Sequence, residues 1–321
     1  MIIYHVIPNL VVGGAQTALR NLIENLPEYE HRIWTFDNYI DNSWKEFHVT
    51  TVSIIQLLKN IINETSKKAI FHFHWYPPFK FKIPENKKFC SLVTIQDNAP
   101  CSVLGANIYV VSTHNGLIYV PSEYKGNSRI ISPGIDANTW KNLNIPRKKG
   151  LLMRHSTIYP NKLSPTMILD MAKYNSEIFS WEIIGVGEKN YINSLKQLCN
   201  DFPSVKIASC EKINLRLNEA WLYVYHAPEG FEHFGLCFME AMACGTPVIT
   251  NDIIGGRAQI KNNYGFVCKN YEEMKLKVEY LYNHPEIYQE MFKNVSSLNF
   301  EKKQREYTQS YSLIYEELRQ I

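Results

Sequence analysis

The chain has 321 residues, 45% of them hydrophobic and 20% charged, with a formal net charge of +3. That length suits two domains with sizeable cores and excludes a mini-protein that needs staples to fold. The near-balanced charge excludes binding of nucleic acid or membrane through a global field, so any such contact must come from a local patch.

In chain order, Ile2 to Ile7 is a short apolar run, followed by a Gly-Gly turn at Gly13 and Gly14. Ala15, Ala18, Leu19, Leu22, Ile23 and Leu26 then recur at helical spacing. His31 to Phe36 reads as a second strand, and 69–73, 91–95, 107–111 and 116–120 as further strands. Ser132-Pro-Gly-Ile-Asp136 has turn chemistry, and the polar stretch after it, with Pro146, marks a domain boundary. A second alternation follows, with strands expected at 150–153, 179–184, 205–208, 221–225 and 247–250. Helices are expected between them at 165–173, 191–199 and 236–243, and after them at 271–283. The tail from Glu301 places Tyr307, Tyr311, Ile314, Tyr315 and Leu318 on one helical face.

Short apolar runs alternating with helices imply an α/β chain with parallel sheets covered on both faces. The expected architecture is two Rossmann-like domains facing each other across a cleft, with ligand at the carboxyl ends of the strands. The first domain spans 1–137, with the helix at about 302–321 packing back on it, and the second spans 138–301. The seven cysteines form no C-x-x-C pair, and their odd count reads as reduced core thiols of a cytosolic protein. No apolar run approaches the roughly 20 residues of a membrane span. Met1 to Val6 lacks a basic region before its apolar stretch, so it reads as a strand and not a signal peptide.

The chemistry concentrates in Pro228 to Ile249, which holds Glu232 and Glu240 with seven residues between them. A loop passes through Gly235 into a helix starting at Leu236; Gly245 caps it and Pro247 opens the next strand. The helix start offers unpaired N–H groups and a positive dipole end to an anion such as a diphosphate. Glu232 can accept hydrogen bonds from sugar hydroxyls, and Glu240, further into the helix, from a second set such as a ribose. A glutamate pair alone is weak; the glycine and apolar residues around it make the block specific.

That block resembles the E-x(7)-E region of retaining glycosyltransferases of family 4 (glycosyl transferases group 1), which have the GT-B fold. The resemblance extends to Gly13–Ala18, Ile70–Trp75, Ile131–Asp136 and Ile253-Ile-Gly-Gly256, the last like the family's loop facing the donor sugar. By position it implies that Glu240 and Glu232 bind ribose and donor sugar, while Arg154 and Lys162 neutralise the diphosphate. Gly13 and Gly14 would let backbone approach the phosphates. Gly235 and Leu236 join the donor site, and His233 orients a loop or touches the nucleotide. Two cations and a helix start can stabilise the leaving group's charge, so no metal is expected. Arg154→Ala or Glu240→Ala is expected to abolish transfer and spare the fold.

Two departures stand out. Gln96 replaces the histidine that the family places near the reacting centre, leaving Asp97, or His74, to assist. Around Arg257-Ala-Gln259 an acidic residue is missing. His74 and Gln96 fall on the acceptor side. His72 and His74 share a strand face, as packed histidines or as substrate contacts. Tyr76 to Lys88 interleaves aromatics with lysines and could stack on sugars, track phosphates, touch a membrane or simply be a solvated loop. The expected activity is a cytoplasmic, metal-independent hexosyl- or pentosyl-transfer from a nucleotide sugar, UDP-sugar by family frequency. Its expected acceptor is a surface glycan or glycolipid, with at most peripheral contact at the inner membrane face. A phage-type DNA glycosyltransferase acting on a hydroxylated base, a non-catalytic sugar-nucleotide-binding protein and a sugar-nucleotide epimerase are the alternatives.

Overall fold

The computed structural model describes residues 1–63, 69–74, 80–84, 89–96, 100–208, 211–228, 232–261 and 263–321. It divides into two compact units, Met1–Gly134 with Lys302–Ile321, and Ile135–Glu301.

The first unit is built on β1 (Ile2–Ile7), α1 (Gly14–Glu24), β2 (Glu30–Thr35), β3 (Val49–Thr51), α2 (Ile54–Asn63) and β4 (Ala69–His74). It continues with β5 (Phe81–Lys82), β6 (Cys90–Ile95), β7 (Val103–Leu104), β8 (Ile108–Val111) and β9 (Ser128–Ile130). Its main sheet is parallel, in the order β3-β2-β1-β4-β6-β8-β9, with β5 and β7 forming a separate small ladder. All residues of β4, β6 and β8 are buried, because both faces of the sheet are covered. One face carries Tyr4, Phe71, Phe73, Val93 and Tyr109; the other carries Ile3, Ile70, Leu92 and Val110.

The strand expected at 116–120 is instead part of a 3-10 helix, His114–Tyr119, closed by hydrogen bonds from Gly116 N to Thr113 O and Val120 N to Leu117 O. Ile118 points to solvent at 68% exposure, so this apolar run was never a core strand.

The second unit runs β10 (Lys148–His155), α3 (Pro165–Ala172), β11 (Ser180–Ile184), α4 (Lys189–Cys199), β12 (Val205–Ala208) and α5 (Ile213–Glu219). Then come β13 (Ala220–Tyr225), α6 (Leu236–Ala243), β14 (Val248–Asn251), α7 (Ile254–Gln259), β15 (Gly265–Cys268), α8 (Tyr271–Asn283) and α9 (Pro285–Ser296). The sheet is again parallel, ordered β12-β11-β10-β13-β14-β15. The order reverses direction between β10 and β13, the switch point at which open α/β sheets form a crevice at their carboxyl ends.

The last helix, α10 (Phe300–Arg319), returns to the first unit. Tyr307, Tyr311, Ile314, Tyr315 and Leu318 pack with Ile3, Leu22, Ile70, Leu92 and Val110 in one core. Tyr307 OH donates to Ala18 O at 3.1 Å, and Asn21 Nδ2 donates to Gln304 Oε1 at 2.7 Å.

Candidate functional site

The residues singled out in the second half of the sequence gather at the carboxyl ends of β10 and β13. Arg154 and His155 end β10, and Tyr225 ends β13. The loop after β13 leads into α6 through Glu232, whose φ of 62° is left-handed, and Gly235, whose φ is 78°. A glutamate in that region is strained, and such strain collects at functional sites. Gly245, with φ of 76°, ends the helix as its sequence implied.

Glu232 Oε1 receives two hydrogen bonds, from Lys162 Nζ at 2.6 Å and from Tyr225 OH at 2.7 Å. Burial pushes its carboxyl up, but the Lys162 charge, these hydrogen bonds and the Arg154 charge outweigh that and hold it below its ordinary value. Glu240, five residues into α6, places Oε2 2.6 Å from Nε2 of His155. The His155 ring stacks with Trp140 at 6.1 Å and meets Tyr223 edge-on. Tyr223 OH donates to His155 O at 2.8 Å, which fixes the end of β10.

Arg154 is fully buried. Its guanidinium lies 4.3 Å from the centre of the Tyr225 ring and donates to the carbonyls of His226 and Lys162. The bond to Lys162 O links the two cations across the Ser156–Asn161 segment. Removing Arg154 would take that donor from both carbonyls, so a loss of stability is expected alongside any loss of transfer.

The Gly-Gly segment at 255–256 lies inside α7 and supports the Glu232 loop from behind. Gly255 N donates to Glu232 O at 3.0 Å, and a Cβ on Gly255 would come within 2.3 Å of Phe234 O. Gln259 Nε2 donates to the carbonyls of Phe234 and Gly235 and so clamps the turn before α6. His233 and Leu236 are buried in the same turn. Arg257 pairs with Asp252 at the surface.

Gly13 caps α1 in an extended conformation, with φ of −173°, and Gly14 is its first residue. A Cβ on Gly13 would lie 2.6 Å from Gln16 Oε1, whose amide nitrogen donates to Asn9 Oδ1 at 2.7 Å. His74 closes β4 and is buried, and Gln96 follows β6 with its Oε1 buried and unpartnered. Asp97 lies outside the described residues, as do Cys210, Glu229 to Phe231 and most of the Tyr76–Lys88 stretch. The six described cysteines are buried and outside any disulfide.

Two features had no sequence signal. His155 and Tyr225 become partners of Glu240 and Glu232 only because β10 pairs with β13. In the first unit, His5 joins the His72–His74 pair already read on one strand face, with ring nitrogens of all three within 4.8 Å of one another. A cavity of about 490 Å³ at the opposite end of the second sheet is lined by Arg147, Trp221, Tyr288 and Phe292. The Arg147 guanidinium there is occupied by Leu217 O, Cys244 O and Thr246 Oγ1.

The comparisons bear on this geometry. The chain aligns along nearly its whole length with solved glycosyltransferases. Anabaena Alr3699/HepE in complex with UDP-glucose superposes with a TM-score of 0.73 at 13% identity, covering 97% of this chain and 99% of that one. A glycosyltransferase from Rickettsia africae ESF-5 gives 0.76 at 14%, covering 99% and 98%. The fold is GT-B. Residues 181–297 match the family model of glycosyl transferases group 1, a span that contains Glu232, Glu240 and α6. A curated relative from Campylobacter jejuni subsp. jejuni serotype O:2 is 22% identical over 294 residues, 87% of this chain and 67% of its own length. It is named N,N'-diacetylbacillosaminyl-diphospho-undecaprenol alpha-1,3-N-acetylgalactosaminyltransferase. No described helix of the GT-B chain is long and apolar enough to cross a membrane.

Proposed function

We propose that this GT-B chain is a retaining glycosyltransferase that moves a sugar from a UDP-sugar to a hydroxyl on a lipid-linked or surface glycan. One observation carries the reading. Two paired carboxylates bracket the amino end of α6, Lys162–Glu232 before it and His155–Glu240 within it. In this reading the UDP diphosphate lies at the helix start, where N–H groups and the dipole favour an anion. Glu240, oriented by His155, binds the ribose hydroxyls. Glu232 binds the donor sugar.

When the bond from the anomeric carbon to the diphosphate oxygen breaks, negative charge collects on that oxygen. Lys162, only partly exposed, would neutralise it in this reading. Arg154 acts from below, by its field and by holding the Lys162 backbone. These fixed charges supply what a metal supplies elsewhere, so the reaction proceeds without one. The acceptor hydroxyl attacks the same face and its proton passes to the leaving phosphate, which balances the step. The first unit holds the acceptor, at the strand ends that carry His74 and Gln96. UDP-glucose bound to HepE and the lipid-linked substrate in the Campylobacter enzyme's name support UDP-sugar and a glycolipid acceptor.

The test is turnover of a UDP-sugar panel in EDTA, with lipid-linked saccharides and a hydroxymethylated DNA duplex as acceptors, read by NMR. Retained anomeric configuration on a saccharide is expected. An inverted product or transfer only to DNA would overturn the proposal, and UDP binding with no turnover would leave a non-catalytic binding protein.

A further inference from the structure

A file of three imidazoles crosses the first unit and ends in one open nitrogen. His31 Nε2 lies 2.8 Å from Leu26 O, His31 Nδ1 lies 2.9 Å from His5 Nε2, and His5 Nδ1 lies 2.9 Å from His74 Nε2. Nothing hydrogen-bonds to His74 Nδ1, although it is buried. Burial lowers the pKa of all three rings, which are therefore neutral at pH 7, each with one N–H and one bare nitrogen.

The Leu26 carbonyl can only accept, so His31 carries its proton on Nε2 and leaves Nδ1 bare. His5 must then donate from Nε2 and accept at Nδ1. His74 in turn must donate from Nε2, which leaves the buried lone pair of Nδ1 at the end of β4 without a hydrogen bond. One main-chain carbonyl thus sets the tautomers of three rings.

His72, beside His74 on the same strand face, differs. Its Nδ1 meets Tyr315 OH at 2.8 Å and its Nε2 meets Thr94 Oγ1 at 2.7 Å, so it is closed on both sides. Five of the six ring nitrogens of His5, His72 and His74 are spoken for by hydrogen bonds, and a metal would have to displace several of them.

The strand register adds a second open acceptor. His74 pairs with Thr94, so Gln96, two residues further along, lies on the His74 face. Its Oε1 is also buried and unpartnered. Two unsatisfied acceptors at adjoining strand ends call for a ligand rich in donors.

We propose that the His31–His5–His74 file is a positioning relay that locks His74 Nδ1 as an acceptor for a hydroxyl of the acceptor saccharide, with Gln96 Oε1 accepting from the same molecule. His5 and His31 act through His74 and touch no substrate. The hydroxyl half rests on the glycosyltransferase reading; the tautomer half does not.

The test is a long-range ¹H–¹⁵N NMR experiment on histidine-labelled protein at pH 7.5. His31, His5 and His74 are expected in the Nε2–H form, and a proton on His74 Nδ1 would overturn the relay. In His31→Phe, His74 should lose its single-tautomer signature; unchanged His74 nitrogens would also overturn it. With saturating UDP, methyl α-D-glucoside should move the His74 Nδ1 resonance upfield, and no movement would overturn the ligand half. Zn²⁺ binding at one ion per chain, shifting His5, His72 and His74 together, would replace the relay by a metal site. UDP itself reports on the second unit through His155. If UDP leaves His155 unmoved, the glycosyltransferase reading fails; if UDP binds and His74 Nδ1 is protonated, only the relay fails.

Discussion

Arg154, buried at the end of β10, donates a hydrogen bond to the main-chain carbonyl of Lys162, and Lys162 Nζ stands 2.6 Å from Glu232. One cation therefore holds the backbone that delivers the other. Their substitutions should separate. Arg154→Met orphans two buried carbonyls and should cost about 2–4 kcal/mol in urea unfolding. Lys162→Met should cost less, about 1–2 kcal/mol, because Glu232 keeps the Tyr225 hydrogen bond and the Arg154 field, yet it should weaken UDP binding at least tenfold. Equal stability losses would contradict this division.

Gly255 touches the Glu232 loop through its backbone, and the nearest atoms to an added Cβ are main-chain atoms of Phe234 and Glu232 that cannot swing away. Gly255→Ala should therefore push the loop and α7 apart, at a cost of about 1–3 kcal/mol. Turnover should fall more than stability does. Wild-type melting and activity in this variant would show that the approach is dispensable.

Tyr311 and Tyr315 tie α10 to the first sheet with different consequences. Tyr315→Phe leaves His72 Nδ1 buried without a partner and should cost about 1–3 kcal/mol. Tyr311→Phe removes a bond to Thr94 Oγ1, which still has His72, and should cost about 1 kcal/mol or less. Urea titrations of the two variants decide the ranking.

Acid should weaken the first unit through its buried imidazoles. Burial lowers His5 and His72 well below 6.5 and His74 to about 3, with neighbouring rings lowering His5 and His72 further. An unfolded histidine takes up its proton near pH 6.5, whereas these stay neutral. Their contribution is complete above about pH 6.5 and is lost as the pH falls toward each folded value, at up to about 1.4 kcal/mol per unit per histidine. Stability measured at pH 7.5 and at pH 5 should drop by about 2 kcal/mol for His74, whose folded value is about 3, with further losses in the same direction from His5 and His72. A flat profile would mean that the rings are charged or hydrated in the folded chain.

Much of this was legible in the sequence for a physical reason. Strands buried on both faces are apolar throughout, so Ile2–Ile7 and Trp221–Tyr225 stood out. The α6 and α8 helices are bounded by residues that dictate their ends, Gly235 and Gly245 for α6 and Asn270, whose side chain caps α8. Helices α2, α5, α7 and α9 were not read; in α7 the Gly-Gly pair looks like a loop, and only packing on Phe234 explains it. The candidate site was half legible. Glu232 and Glu240 share one sequence block and Arg154 and Lys162 came from the resemblance, but their partners His155 and Tyr225 depend on strand order. Likewise His5 and His31 meet His74 only through the β2-β1-β4 arrangement, which no local spacing encodes.

The most direct measurement is calorimetric titration of UDP into the wild-type chain and into Glu240→Gln, which keeps the side chain's shape while removing its charge. The wild-type chain should bind UDP, and the variant should bind at least tenfold more weakly with its melting temperature little changed. UDP binding of equal strength in both, or none in either, would contradict a nucleotide site built around Glu240 and α6.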